Sequence, residues 1–384
     1  NSPTMPELLF QIAIIITKIV VLTFIVVLPL VPLSVYFERR FSAVIQDRVG
    51  PNRVGIPLTL LGFKKDFHFF GLIQPIADGL KLFLKEDFTP GGVKQFYFWL
   101  APCLAMLPLV SLAFIPFGSS LFGEKMVIAN VNVGVLGIFA VTGCSVYAIV
   151  LAGWASNSKY PFFSAMRASA QMISYEVSIG FILICVVLWA DSFNLKTIVE
   201  AQRDHVWILN GFVFNPLLFP MWVMFLISGM AETQRAPFDL TEAESELVAG
   251  YQTEYSSMAF ALYWLGEYAN VLLMCALNAI LFWGGYLPPV DWAPLYAVPG
   301  IIWFFVKILL MFFVFAWVKA TVPRYRYDQL MRLGWKIFLP ISLFWVFLVS
   351  GYLMLTRYDC KDSERMYISQ ITDVKQGKTY TAEK

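Results

Sequence analysis

PGIIWFFVKILLMFFVFAWVK (Pro299 to Lys319) holds one charged residue between its ends, Lys307, and shows no strict alternation of apolar and polar side chains. An α-helix rises 1.5 Å per residue, so about 20 apolar residues cross the roughly 30 Å of hydrocarbon in a bilayer. The stretch therefore predicts a transmembrane helix. Outward from it, comparable runs lie near residues 8–37, 97–117, 131–154, 171–190, 213–231, 257–285 and 337–356. Each is far longer than a strand, which argues against a β-barrel. The predicted fold is all-α and integral to the membrane: one domain over residues 1–357 with about eight transmembrane helices, then a polar tail over 358–384.

Composition agrees. With 59% hydrophobic and 14% charged residues among 384, and a mean hydropathy of +0.68, the chain has too little polar surface to cover a soluble globule. The net charge of +2 carries less information than where the charges sit. Arg39, Arg40, Arg48, Arg53, Lys64, Lys65, Lys81, Lys85 and Lys94 follow the first run, and Arg324, Arg326, Arg332 and Lys336 follow the seventh. The even connectors hold only Lys125, Lys196 and Arg203. The positive-inside rule places the odd connectors in the cytoplasm and both termini outside. The first run has no basic segment before it and no A-x-A site after it, so it reads as a mature span rather than a signal peptide. The five cysteines form no CxxC pair, and His68 and His205 are far apart, which argues against iron–sulfur, zinc or haem ligation by this chain alone.

The first connector, Arg39 to Phe96, contains a predicted helix over about 69–86. Ile73, Ile76, Leu80 and Leu84 recur at helical spacing, and Asp78, Lys81 and Lys85 gather on another face. Too short and too charged to span, it suits the membrane interface, with packing on the inner face of the bundle as the alternative. RVGPNRVG (Arg48 to Gly55) lacks the GK[ST] ending and the preceding strand of a phosphate loop, and reads as a turn presenting Arg48 and Arg53.

Three ionisable residues fall inside predicted spans: Glu176, Glu267 and Lys307. A charge at the centre of a lipid-facing helix costs at least about 2.5 to 3.5 kcal/mol, so each is expected to face the bundle interior or water. Either Glu267 and Lys307 form a buried ion pair that fixes helix register, or they belong to an interior polar path. The connector AETQRAPFDLTEAESELVAGYQTEY (Ala231 to Tyr255) concentrates carboxylates at Glu232, Asp239, Glu242, Glu244, Glu246 and Glu254. Thr241 with Glu244 has the pattern of a capping box, which accounts for Glu242 and Glu244 but leaves the others unexplained. Carboxylates crowded in a poorly solvated place cannot all ionise, and such a coupled set can store and pass protons. Pro237 turns the connector back toward the bundle.

This connector resembles the signature of the quinone-site membrane subunits of proton-pumping NADH:quinone oxidoreductase, respiratory complex I. ERRFSAVIQDRVGPNRVG (Glu38 to Gly55), LIQPIADGLKLFLKED (Leu72 to Asp87), RASAQMISYEV (Arg167 to Val177) and LGEYANVLLM (Leu265 to Met274) follow the order of that family. The resemblance extends over roughly residues 8–357. It implies a quinone chamber walled by Glu38, Arg39, Arg48, Asp78, Lys81, Arg235, Phe238 and Asp239, entered from the bilayer beside Leu72 to Asp87. Phe238 would follow the isoprenoid tail, and Arg39 and Arg235 would order polar groups and water. It also implies a proton path through Glu176, Glu232, Glu242, Glu244, Glu246, Glu254 and Glu267.

By the same resemblance the chain takes quinone as a shared substrate and has no complete active site alone. It carries no flavin, iron–sulfur cluster, haem or metal. Its partners are hydrophilic quinone-module subunits, small membrane subunits and antiporter-like subunits, together with membrane lipids but no nucleic acid. The bacterial inner membrane is the expected location in preference to the mitochondrial one. Ile56 to His68 looks like an insertion relative to the family, and the tail after Tyr358 is longer than the family pattern. Two other readings stay open: the homologous membrane subunit of an energy-converting hydrogenase, and a stand-alone transporter, against which the absence of an internal repeat counts.

Overall fold

The computed structural model describes residues 28–55, 70–118, 126–203, 211–240, 248–290 and 292–356, together with Thr17 and Val20. Its elements are α1 (Leu28–Ile45), α2 (Gln74–Leu84), α3 (Gln95–Ala105), α4 (Leu107–Ser111), α5 (Gly134–Ala155), α6 (Lys159–Ala190), α7 (Leu195–Glu200), α8 (Phe219–Glu232), α9 (Ser257–Phe282), α10 (Gly300–Thr321), α11 (Tyr327–Arg332) and α12 (Leu339–Thr356). No strand occurs among the described residues. Most of the first predicted span lies outside them, as do the stretch 56–68, Glu242, Glu244, Glu246 and the tail from residue 357.

Six helices are long and apolar enough to cross a bilayer: Gln95–Phe114, Gly134–Ala155, Lys159–Ala190, Ser257–Phe282, Gly300–Thr321 and Tyr327–Thr356. The expected count of eight is not reached among the described residues. The run at 213–231 forms only the 14-residue α8, about 21 Å long at 1.5 Å per residue. Two prolines explain the shortening. Pro216 disfavours helix at Asn215, whose side chain instead accepts from the Leu217 N–H at 3.0 Å, and Pro220 occupies the first turn of α8.

Two helices exceed their apolar runs. α6 begins at Lys159 instead of residue 171, and the last helix begins at Tyr327, passes through a π-helical segment at Leu333–Phe338, and continues as α12. Their polar extensions meet. Arg167 lies over the Tyr327 ring at 5.9 Å, the Tyr175 hydroxyl donates to the Leu330 carbonyl at 3.1 Å, and the Trp335 indole donates to Ser174 Oγ at 2.9 Å.

α9 is the axis of the bundle, packed against α1, α2, α3, α8 and α10. Gly266 permits its approach to α3, because a Cβ there would run into the Ala105 carbonyl. At its far end Lys307 of α10, buried, donates to the carbonyls of Trp283 at 2.5 Å, Gly285 at 2.9 Å and Leu287 at 2.6 Å. An ammonium has three N–H donors, and all three serve carbonyls just past the end of α9. The Glu267–Lys307 ion pair allowed by the sequence is therefore not formed; Lys307 fastens a helix terminus.

Candidate functional site

The last turns of α1 carry Glu38, Arg39 and Ser42. With Arg48, Gly50, Pro51 and Lys319 of α10, these residues line a cavity of about 440 Å³. The turn after α1 is seated by backbone contact: Gly71 has a φ of +82°, and a Cβ there would overlap the Pro51 backbone. The Tyr36 hydroxyl donates to the Phe70 carbonyl at 2.7 Å and ties the same connector down.

α2 has no buried residue, yet it is held at both ends. Near its start Arg39 meets Asp78 at 2.6 Å, and Gln74 donates to the same carboxylate at 3.0 Å. At its end the Ser257 hydroxyl donates to the Leu82 carbonyl at 3.1 Å and can serve that of Lys85 at 2.8 Å, while Ser256 Oγ accepts from the Phe88 N–H at 2.9 Å. These serines lie at the start of α9, so the connector and the central helix are joined directly.

A buried charge cluster lies behind the cavity. Arg235 faces Glu38 at 3.6 Å and Glu267 at 3.2 Å, and the three side chains are only 11%, 10% and 15% exposed. Lys319 donates to Glu38, and the guanidinium of Arg235 lies 4.1 Å from the Tyr268 ring centroid. Two carboxylates and two cations thus offset one another where isolated charge would be costly. The arrangement links α1, the connector Ala231 to Tyr255, α9 and α10, and joins Glu38 of the predicted chamber to Glu267 of the predicted proton path.

The connector is clasped from α6. Gln171 Nε2 can donate to the carbonyls of Ala231 at 2.7 Å and Phe238 at 3.0 Å. Phe238 is buried between Tyr325, stacked at 5.5 Å, and Tyr175 at 6.3 Å, while Asp239 pairs with Arg324 at 3.1 Å. Phe238 and Asp239 do not line the 440 Å³ cavity. Lys81 is exposed on α2 and does not line it either.

Of the predicted proton path, Glu232 ends α8 and is buried, and it shares with Glu267 a second cavity of about 50 Å³. Glu176, half-buried on α6, lies within electrostatic reach of Glu232. Its carboxylate fills the space where a Cβ at Gly143 would stand. Glu254 follows the short turn Gly250–Gln252.

Lys319, Arg324, Tyr268, Gln171 and the serine pair belong to the site without being singled out by the sequence. Lys319 reads there as the basic end of a span, and Tyr268 directly follows Glu267 in a motif whose acid is the conspicuous member. No group of three or more potential metal ligands occurs among the described residues.

The family described as NADH dehydrogenase matches residues 17–350. The H-type subunit of NADH-quinone oxidoreductase from Novosphingobium aromaticivorans is 67% identical over 327 residues, covering 85% of this chain and 89% of its own length. That of Sphingopyxis alaskensis is 66% identical over 330 residues, with 85% and 90% covered. That of Rickettsia bellii is 50% identical over 351 residues, with 91% and 96% covered. None of these three relatives is a hydrogenase subunit by name. On a match of this extent, the chain belongs to the NADH dehydrogenase family, as a multi-pass membrane subunit of the H type in NADH-quinone oxidoreductase, respiratory complex I.

Proposed function

We propose that this chain forms the lower part of a quinone chamber with its opening to the bilayer, and that its carboxylates couple quinone reduction to proton translocation. The observation that carries the reading is the 440 Å³ cavity lined by Glu38, Arg39 and Arg48, backed by the Glu38–Arg235–Glu267 cluster. That volume lies in the range of small-molecule sites, about 300 to 1,000 Å³. Arg39 and its partner Asp78 stand at the junction of the cavity with α2, whose exposed Ile76, Leu80, Phe83 and Leu84 suit a helix lying in the membrane interface beside the opening.

The chemistry this chain contributes is electrostatic. A change of charge on the quinone in the chamber alters the balance around Glu38 and Arg235, and Arg235 transmits it to Glu267 because it touches both carboxylates. From Glu267 the path continues to Glu232 and Glu176, and Glu242, Glu244, Glu246 and Glu254 are assigned to it by family resemblance. Phe238 and Asp239 form the packed support of the chamber wall. NADH oxidation, flavin and iron–sulfur chemistry belong to partner subunits, and the odd connectors face the cytoplasm of a bacterial cell, toward the hydrophilic partners.

In the assembled complex, Glu38→Gln and Arg39→Leu are expected to lower NADH:quinone reduction severalfold while NADH oxidation by an artificial hydrophilic acceptor is unchanged. Wild-type quinone reduction in both variants would sink the chamber assignment.

A further inference from the structure

The cavity of about 50 Å³ beside Glu267 contains two acceptors that the described residues do not satisfy. Glu232 Oε2 and Asn270 Oδ1 both belong to residues lining it and have no hydrogen-bond partner among the described residues, and the two residues are 5% and 7% exposed. Tyr263 lines the same cavity and its buried hydroxyl is likewise without a partner among the described residues, while the hydroxyls of Ser145 and Thr233 are turned elsewhere. Ser145 Oγ donates to the Thr142 carbonyl at 2.6 Å, and Thr233 Oγ1 donates to the Gly229 carbonyl at 3.0 Å, each onto its own helix. A buried acceptor without a donor is costly, and two of them on residues lining one small cavity call for a molecule that brings two donors. Water is the smallest, and it needs about 10 to 15 Å³ and two to four polar partners.

We propose that this cavity is an internal water site held by Asn270 and Glu232, and that Asn270 is a positioning residue in the proton path. The second part rests on the path proposed above. The water gives one O–H to Asn270 Oδ1 and the other to Glu232 Oε2, and its lone pairs are left for a donor on the Glu267 side. In one relay step it accepts a proton from protonated Glu267 and passes one of its own to the Glu232 carboxylate. Glu267 is left ionised, Glu232 neutral and the water unchanged. A carboxylate in place of Asn270 would change its grip on the water with each protonation. An amide does not titrate, so it holds the water through the whole cycle.

The test is made on the assembled complex. In the wild type, a structure that resolves ordered water should show density within hydrogen-bond distance of both Asn270 Oδ1 and Glu232 Oε2. An Asn270→Leu complex should lose that density, and its proton translocation in liposomes should fall severalfold. Absence of the density from the wild type overturns the water site, whether or not Asn270→Leu assembles. Density in the wild type combined with unchanged translocation by Asn270→Leu overturns the role of Asn270. Unchanged translocation by Glu232→Gln, with the wild-type density present, overturns the glutamate path and leaves the water site standing.

Discussion

Individual side chains divide into those proposed to carry charge for function and those that fasten the bundle, and two basic residues illustrate the difference. Arg235 sits between Glu38 and Glu267, all three nearly buried. Removing one member of such a network strands the others, so Arg235→Met is expected to cost about 3 to 5 kcal/mol. It should lower both the thermal stability and the quinone activity of the complex. Lys307 instead spends its three donors on carbonyls at the end of α9. Lys307→Met should reduce assembly, because stranded buried acceptors cost about 1 to 3 kcal/mol each, while quinone turnover per assembled complex stays near wild type. Quinone titration alongside quantified assembly separates the two. In the sequence Lys307 reads as part of an interior path or of an ion pair with Glu267, and Arg235 enters only through the family resemblance, as part of the chamber wall. Only the contacts of the ammonium or guanidinium group tell them apart, and those depend on which helix comes to lie opposite.

At the scale of elements, hydropathy locates the cores of the spanning helices and misjudges their ends. α6 and the last helix run past their apolar windows, and Arg167 of one and Tyr327, Leu330 and Trp335 of the other, all outside those windows, make contacts across the helix pair. A polar residue satisfied by a neighbouring helix looks like a loop residue to a sequence window. α8 errs in the other direction, since prolines at its start end an apolar run that composition alone extends. The helix in the first connector is legible from its periodicity, and its anchoring by Ser256 and Ser257 is not, since Ser257 and the Leu82 carbonyl it serves lie 175 residues apart in sequence. Gly266 belongs to this scale. Gly266→Ala forces α9 away from the Ala105 carbonyl, and the expected result is loss of stable complex on native gels, without a selective change in quinone affinity in whatever assembles.

For the whole molecule, the charges visible in the sequence predict the orientation, and the fold shows why orientation matters. Glu38, Arg39, Asp78, Arg235 and Asp239 come from the first and fifth connectors and their helix ends, which the positive-inside rule places on one side. A cysteine introduced at exposed Lys81 should react with an impermeant reagent only from the cytoplasmic side, in right-side-out and inverted vesicles compared. The carboxylates of the site are legible as anomalies of cost, because burying Glu176, Glu232 and Glu267 without purpose is unfavourable. The compensation of Glu38 and Glu267 by Arg235 and Lys319 is not, because it arises from the meeting of four separate elements. These carboxylates are proposed to couple quinone reduction to proton movement. The most direct test is the simultaneous measurement of NADH:quinone reduction and proton uptake in liposomes containing the complex with Glu176→Gln or Glu267→Gln. Both rates are expected to fall together while NADH oxidation by an artificial acceptor persists; wild-type rates of reduction and translocation in both variants would rule the coupling role out.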